Sequence, residues 1–418
     1  MALARLVAVE IVPHLVAIGD DAEKFLAAEQ IVLFAGIEIL DLVIAAAKSG
    51  GASADRIVGE WFKSRRFAGS KDRRAVRELV YGAIRACGEV PVSGRAAMLA
   101  LAEDDPAVAL LFDGTGYAPV PVTEGEPVAK RGVASAWLIE ALAASGVTGA
   151  AAAELLGRAP LDVRVNALKA DRDTIRLPEP GEPLAAPQGL RFPSGTPVEQ
   201  WDAYRDGRIE VQDGGSQIAC LAVAAETGET VVDLCAGAGG KTLALAAAMA
   251  GRGRLIACDT DRMRLLRLDP RAQRAGAMWV ESRLLDPGQE AGALADLAGR
   301  ADAVLVDAPC SGTGTWRRNP EARWRLNQRE VARYAAIQMR LLDLAATLVR
   351  PGGRVIFVTC SLLDAEGADQ AAAFLARHPG WRANLPPLPA GCPRGAGWRL
   401  SPAQDRTDGF FIACFVSP

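Results

Sequence analysis

The stretches Ala301–Gly312, ADAVLVDAPCSG, and Val355–Leu362, VIFVTCSL, decide the fold. Each opens as a short apolar run of the kind that forms a strand buried on both faces of a parallel sheet. Each then stops at a cysteine flanked by small or hydroxyl residues. In an open α/β sheet, ligands sit beyond the carboxyl ends of the strands. Neighbouring strands that end this way place Cys310 and Cys360 over one pocket, and a paired thiol there points to covalent chemistry. A strand-end cysteine standing alone is ordinarily inert packing. A second at the neighbouring strand end, with Asp307 close to the first, reverses that preference.

The surrounding chain, from about Gly207, alternates strand with helix. Thr230–Cys235, Arg254–Cys258, Ala277–Glu281, Val304–Val306, Val355–Val358 and Phe410–Val416 read as strands, and Lys241–Ala250, Asp261–Ala275 and Arg329–Val349 as helices. That rhythm predicts an α/β, doubly wound, mostly parallel sheet over residues 207–418. Upstream, Ser135–Ala144 and Gly149–Gly157 read as short helices and Leu161–Leu168 alternates like a strand. The Pro-rich Leu177–Pro197 mixes strands and turns, so 131–206 forms a small α/β linking module. Residues 37–130 are helical at first: Ile37, Leu40, Ile44 and Ala47 share one face, and Ala54–Phe62 and Asp72–Ala86 follow as amphipathic helices. Glu103–Lys130, rich in Asp, Gly and Pro, closes that region as a loop. Residues 1–36 are apolar and weakly patterned, an extension without an assigned role.

Val231–Thr242, VVDLCAGAGGKT, reads as strand, glycine turn and helix. Gly237, Gly239 and Gly240 let the backbone bend tightly and approach a ligand without a Cβ. The helix N-terminus that follows offers free N–H groups. Asp259 ends the next strand about 20 residues on, where an acid suits ribose hydroxyls. The GxxxxGK[ST] spacing of a phosphate-binding loop is absent. A nucleoside-bearing cofactor without phosphate, such as S-adenosylmethionine, fits better than a nucleoside triphosphate.

Composition narrows the chemistry. With 418 residues, half of them hydrophobic, the chain has room for two or three domains. Its eight cysteines include no CxxC pair and no Cys/His cluster with zinc spacing, so no metal is expected and a reducing cytoplasm fits. The only histidines, His14 and His378, are far apart, which serves histidine-based catalysis poorly. Ile31–Ala47 carries Glu38 and Asp41 and is too short and charged to span a bilayer comfortably, and no secretion signal opens the chain. The net charge of −3 does not advertise nucleic-acid binding, but arginines cluster. Arg65, Arg66, Lys71, Arg73 and Arg74 form a candidate RNA-backbone set. Trp316-Arg317-Arg318 and Arg323-Trp324-Arg325 read either as an RNA-contacting run or as a loop anchored by buried tryptophans.

Taken together, these residues resemble the Fmu/Sun/Nop family of RNA cytosine-5 methyltransferases. The matching stretches are VQDGGSQ (Val211–Gln217), DLCAGAGGKT (Asp233–Thr242), DAPCSGTGTWRRNP (Asp307–Pro320), TCS (Thr359–Ser361) and DGFF (Asp408–Phe411). RVN (Arg164–Asn166) matches upstream, and SKDRRAVRELVYG (Ser70–Gly82) resembles the family's NusB-like helical RNA-binding domain. The likeness runs from about Ile37 to the end. The cofactor turn departs from the family in having Ala238 where proline is usual. The resemblance implies a Rossmann-like methyltransferase domain preceded by the linking module and a NusB-like all-helical domain. It implies S-adenosylmethionine held by Cys235, Ala236, Gly237, Ala238, Gly239, Gly240 and Lys241 with Asp259 and Asp307; a third cofactor-contacting acid falls near Glu281–Asp286. By similarity, Cys360 attacks C6 of the cytosine, Cys310 assists loss of the C5 proton and enzyme release, Asp307 hydrogen-bonds the base, and Lys241 supports that pocket. A free thiol titrates near pH ~8.5, so the attacking thiolate needs local positive charge or proton transfer to the substrate. The expected partner is RNA, ribosomal before transfer RNA, with neither membrane nor metal, for a cytoplasmic monomer. Amino-group methylation is disfavoured because no NPPY-type tetrapeptide replaces Asp307–Cys310. A ribosome-assembly factor that only binds RNA is the alternative from another class, and it would have no need of both cysteines, Asp259 and the glycine turn together.

Overall fold

The computed structural model describes residues 19–65, 69–384 and 386–418. Half of the expected extension, with His14, and Arg66 of the basic set lie outside them. The chain falls into two units. One runs to Ala141 and recruits Asn319–Leu326; the other comprises Leu142–Arg318 and Asn327–Pro418.

The first unit is helical: α1 (Gly19–Ser49), α2 (Ala54–Ser64), α3 (Ser70–Ala86) and α4 (Gly94–Ala102). Helix α1 begins well before Ile37, and Leu33, Ile39, Leu40 and Val43 on it are fully buried in the unit's core. Among the described residues it carries the one stretch, Glu29–Ser49, long and apolar enough by length and composition to cross a membrane. Its buried face is that of a core helix. Helix α4 has no counterpart in the reading of the sequence; Ser93, whose hydroxyl accepts from Ala96 N–H at 3.1 Å, is the N-cap that marks it.

Asn319–Leu326 is held in this unit by polar contacts that its sequence did not announce. Arg323 is 3% exposed and donates from Nη2 to the carbonyls of Ile84 and Cys87, each at 2.7 Å. Trp324 Nε1 donates to the Cys87 carbonyl at 3.1 Å, and Arg325 reaches the carbonyls of Gly51 and Ala52. Ala54 N–H, at the start of α2, donates to Glu321 Oε1 at 3.0 Å. These arginines satisfy carbonyls at helix ends and loops, where unpaired acceptors are costly. Of the alternatives for the Arg/Trp run, the anchored loop is the observed one.

In the second unit, β1 (Leu161–Val165), β2 (Glu182–Pro183), β3 (Gly189–Phe192) and β4 (Ile209–Val211) form an antiparallel sheet in the order β2-β3-β1-β4. Helix α5 (Gly214–Leu221) leads into the main sheet. There β5 (Thr230–Asp233), α6 (Gly240–Ala248), β6 (Arg254–Asp259), α7 (Leu268–Ala275), β7 (Glu281–Leu284), β8 (Ala301–Asp307), α8 (Gln328–Leu348), β9 (Val349–Thr359) and α9 (Ala368–Arg377) follow one another. The short β10 (Arg382–Ala383), β11 (Cys392–Arg394), β12 (Gly397–Leu400) and β13 (Phe410–Val416) complete it. The order is β11-β12-β13-β9-β8-β5-β6-β7, with β10 on β13; β5 to β9 are parallel and β13 is antiparallel to β9. Alternate residues feed two cores. Ala303, Leu305, Ile356 and Val358 pack on one face with Leu243 and Leu245 of α6. Val304, Val306, Val355 and Phe357 pack on the other with Leu341 and Leu342 of α8 and Phe374 of α9. Burial on both faces is why these strands read as unbroken apolar runs.

Two predicted elements shift. The apolar run Ala277–Val280 is not a strand: Gly276 (φ +77°) and the bond from Ala277 N–H to Ala272 O close α7, and β7 starts at Glu281. Because β7 is an edge strand, it carries polar residues and lacks the signal that marks its buried neighbours. Asp261–Ala275 is not one helix but two, Arg262–Leu265 and α7, and Pro270 sits in the first turn of the second, where a missing N–H is tolerated.

Candidate active site

Strands β8 and β9 lie side by side in parallel register, Asp307 opposite Val358. Their carboxyl ends bring Cys310 Sγ within 3.4 Å of Cys360 Sγ, and both thiols are half-buried. The Cys360 hydrogen bond, then burial, then the charges of Cys360 and Glu366 push the Cys310 thiol well above its usual range.

Asp307 ends β8 and accepts from Lys241 Nζ at 2.6 Å. Burial acts against the Lys241 charge, but Asp307 and the nearby Cys220 and Cys360 outweigh it, and the ammonium is held above its ordinary range. The Lys241 ammonium also lies 5.5 Å from the ring centroid of Phe410, so the DGFF stretch packs on the same ion pair. Asp408 of that stretch takes Arg317 Nη2 at 3.0 Å and Arg318 Nε at 2.6 Å, and Arg318 Nη2 reaches Asp213 Oδ2 at 3.0 Å. The motifs VQDGGSQ, WRRNP and DGFF, remote in sequence, are joined by these ion pairs. Trp316 is fully buried and Arg317 nearly so. Their role is to hold the loop after Cys310.

The two thiols share a cavity of 690 Å³ with Cys235, Ala236, Gly237, Ala238, Asp259 and Asp307. Pockets of this volume suit a ligand of nucleoside size. The donors and acceptors fit S-adenosylmethionine. Asp259 Oδ2 accepts from Gly237 N–H and Oδ1 from Asp261 N–H, each at 2.7 Å. A carboxylate offers about four acceptor sites, so capacity for two ribose hydroxyls remains. A Cβ built on Gly237 (φ +56°) or Gly240 would meet no protein atom within 4 Å, so packing inside the protein does not demand glycine at either. Gly239 differs: its φ is +84° and a Cβ would come within 2.1 Å of Leu268 Cδ1, so its glycine is required by packing. Gly239, Gly240 and Lys241 do not line the cavity; Lys241 acts on it through Asp307.

Beyond β7 the wall is Leu285 and the ion pair of Glu290 with Arg340 (2.7 Å), whereas Asp286 is exposed and Glu281 pairs with Arg254. Reading the sequence missed Glu290 and Arg340 because they meet only through the packing of α8. Asp261 and Thr260 also line the site; the acid pair in CDTD was the signal for them.

A glycine turn and terminal acids on parallel strands, with the antiparallel β13, β12 and β11 extending the sheet beside β9, define a Rossmann-like methyltransferase fold. Residues 220–416 match the family described as 16S rRNA methyltransferase RsmB/F. The chain is 35% identical over 265 residues to ribosomal RNA small subunit methyltransferase B of Erwinia tasmaniensis, covering 62% of this chain and 60% of that protein. It is 33% identical to the protein of the same name in Pasteurella multocida, covering 61% and 58%. The matched region thus spans about 60% of these curated relatives. Among solved structures, PH0851 superposes with a TM-score of 0.71 at 25% identity, covering 90% of this chain and 98% of that one. NSun6 from Pyrococcus horikoshii with SFG superposes at 0.58 and 19% identity, covering 68% and 98%.

Proposed function

We propose that this protein methylates C5 of a cytosine in RNA, with small-subunit ribosomal RNA as the substrate, through a covalent adduct on Cys360. The observation that carries this reading is the 3.4 Å approach of Cys310 and Cys360 over the cavity that also holds Asp259. Bound in that cavity, S-adenosylmethionine supplies an electrophilic methyl group. Asp259 would take the ribose hydroxyls, and the backbone of Cys235–Ala238 would hold the nucleoside. Cytosine C5 is a poor nucleophile until something adds at C6. The Cys360 thiolate forms the S–C6 bond, and the electron pair displaced onto C5 would take the methyl as the sulfonium S–CH3 bond breaks and S-adenosylhomocysteine is left. Asp307, held by Lys241, accepts from the N4 amino group and, once N3 takes a proton as charge develops during addition, from N3–H. Cys310, as thiolate, takes the C5 proton, the C–H electron pair re-forms the C5–C6 double bond, and the S–C6 bond breaks so that Cys360 leaves as thiolate. The target base must be unpaired or flipped out of its stack to reach two thiols at the floor of a cavity.

The helical unit is assigned RNA binding in the manner of a NusB-like domain, within a division into 1–36, 37–130, 131–206 and 207–418. Its exposed Lys63 and Arg77 and the ring of Phe62 border a 530 Å³ hollow suited to an RNA backbone. A cytoplasmic monomer is part of the same reading. Trapping tests the chemistry. Cys310→Ala should accumulate a denaturation-resistant RNA–protein adduct, and Cys360→Ala should give neither adduct nor product. The reverse pattern would exchange the two roles, and no adduct from either variant would sink covalent catalysis.

A further inference from the structure

Behind the two thiols lies a carboxylate that the reaction as described leaves unused. Glu366 is 0% exposed, in the turn Asp364–Glu366 that follows β9. Its Oε1 accepts from Ser311 N–H at 2.8 Å and from Gln338 Nε2 at 3.4 Å. Its Oε2 accepts from Ser361 Oγ at 2.7 Å and from the Ser311 hydroxyl. Ser311 follows Cys310 and Ser361 follows Cys360, so one side chain joins the residues next to both cysteines. Hydroxyls close the ring: Ser361 Oγ lies 3.2 Å from both Ser311 Oγ and Thr313 Oγ1, and Thr313 Oγ1 accepts from Leu362 N–H at 2.8 Å. Gln338 also donates to the Pro309 carbonyl at 3.0 Å, gripping the Cys310 turn from α8.

We propose that Glu366 is a positioning residue that locks the turns carrying Cys310 and Cys360 to one another and so sets the distance at which the two thiols work. A buried carboxylate is costly unless fully hydrogen-bonded, and an apolar side chain would serve simple packing better. Here four donors from two turns and a helix converge on it, which gives it a use that no apolar residue can fill. Its charge is also among the causes that push the Cys310 thiol upward. The catalytic consequence rests on the covalent reading above; the distance-setting role does not.

The test uses the full chain and a bifunctional thiol reagent of short span, dibromobimane, which bridges Cys310 and Cys360 only while they stay in register. Glu366→Gln keeps an acceptor for Ser311 N–H, and its amide donates to hydroxyls that can turn about. It should crosslink and turn over within about threefold of wild type, whereas Glu366→Ala should lose crosslinking and about 100-fold in kcat with S-adenosylmethionine affinity unchanged, the loss typical of misplaced reacting groups. Folded Glu366→Ala that crosslinks and turns over like wild type overturns the proposal, as does Glu366→Gln as defective as Glu366→Ala. If Glu366→Ala does not fold, Ser311→Ala/Ser361→Ala, which removes both hydroxyl arms, is read by the same criterion. Wild type that crosslinks but methylates no RNA counts against the methyl-transfer reading and leaves the role of Glu366 to be decided by crosslinking, which needs no RNA.

Discussion

Asp233 closes β5 beneath the glycine turn, fully buried, with Oδ2 accepting from Thr242 Oγ1 at 2.7 Å. Burial pushes its carboxyl up to about 7, the Thr242 bond lowers it and Asp307 raises it further. An acid whose folded-state pKa is raised holds its proton while the unfolded chain releases it, so stability falls as pH rises between the two values. Asp233→Asn retains the acceptor for Thr242 and removes the titration. Its stability should gain about 4 kcal/mol on wild type between about pH 4 and pH 7, read from urea unfolding at a series of pH values. Parallel pH profiles for the two proteins would show that Asp233 does not titrate in the fold. The same dense burial gives the site its order: the Lys241–Asp307 pair and the Glu366 bridge hold their groups before any substrate arrives.

At the scale of elements, the segment Asn319–Leu326 shows how one short piece of chain is specified. Burial lowers the Arg323 guanidinium to about 10, so it stays charged at neutral pH while its Nη2 serves the carbonyls of Ile84 and Cys87. Arg323→Met keeps volume but leaves those acceptors unpaired. It should cost roughly 2–4 kcal/mol, seen as a lower denaturation midpoint of the helical signal in far-UV circular dichroism. A midpoint within error of wild type would mean that water or the remaining Trp324 bond satisfies these groups. Sequence reading found Arg323 and Trp324 but not their partners, because Cys87 is more than 200 residues away. Elements with their own signal fared better. Phe410–Val416 has the predicted limits, and β8 and β9 contain the predicted runs. The edge strand β7 and the helix broken before Pro270 did not follow the pattern, since an edge strand needs no apolar alternation and a proline restarts a helix.

For the whole molecule, a net charge of −3 means that the proposed RNA binding must come from local basic groups acting against the overall charge. Lys63 and Arg77, both exposed, border the hollow beside Phe62, with the Arg77 guanidinium 5.9 Å from the ring centroid. Replacing both by glutamine should weaken RNA binding and flatten the slope of log K against log salt by about 1.4, at about 0.7 for each lost contact with single-stranded phosphate. Cofactor affinity should not change. An unaltered slope would remove this hollow from the RNA path. The Arg317 and Arg318 side chains, committed to Asp408 and Asp213, belong to the scaffold in this account.

The sequence by itself determined the sheet and the strand ends, because strands buried on both faces must be continuously apolar and a ligand-side strand end must break that run abruptly. It therefore placed Cys310, Cys360, Asp307 and Asp259 at the carboxyl edge without coordinates. Only the tertiary structure decided that Lys241 serves Asp307, that Glu290 and Arg340 form the cavity wall, and that one buried glutamate ties the two cysteine turns together. Those pairings join residues from different elements, and a hydrogen bond or ion pair between distant positions leaves no periodicity in the chain.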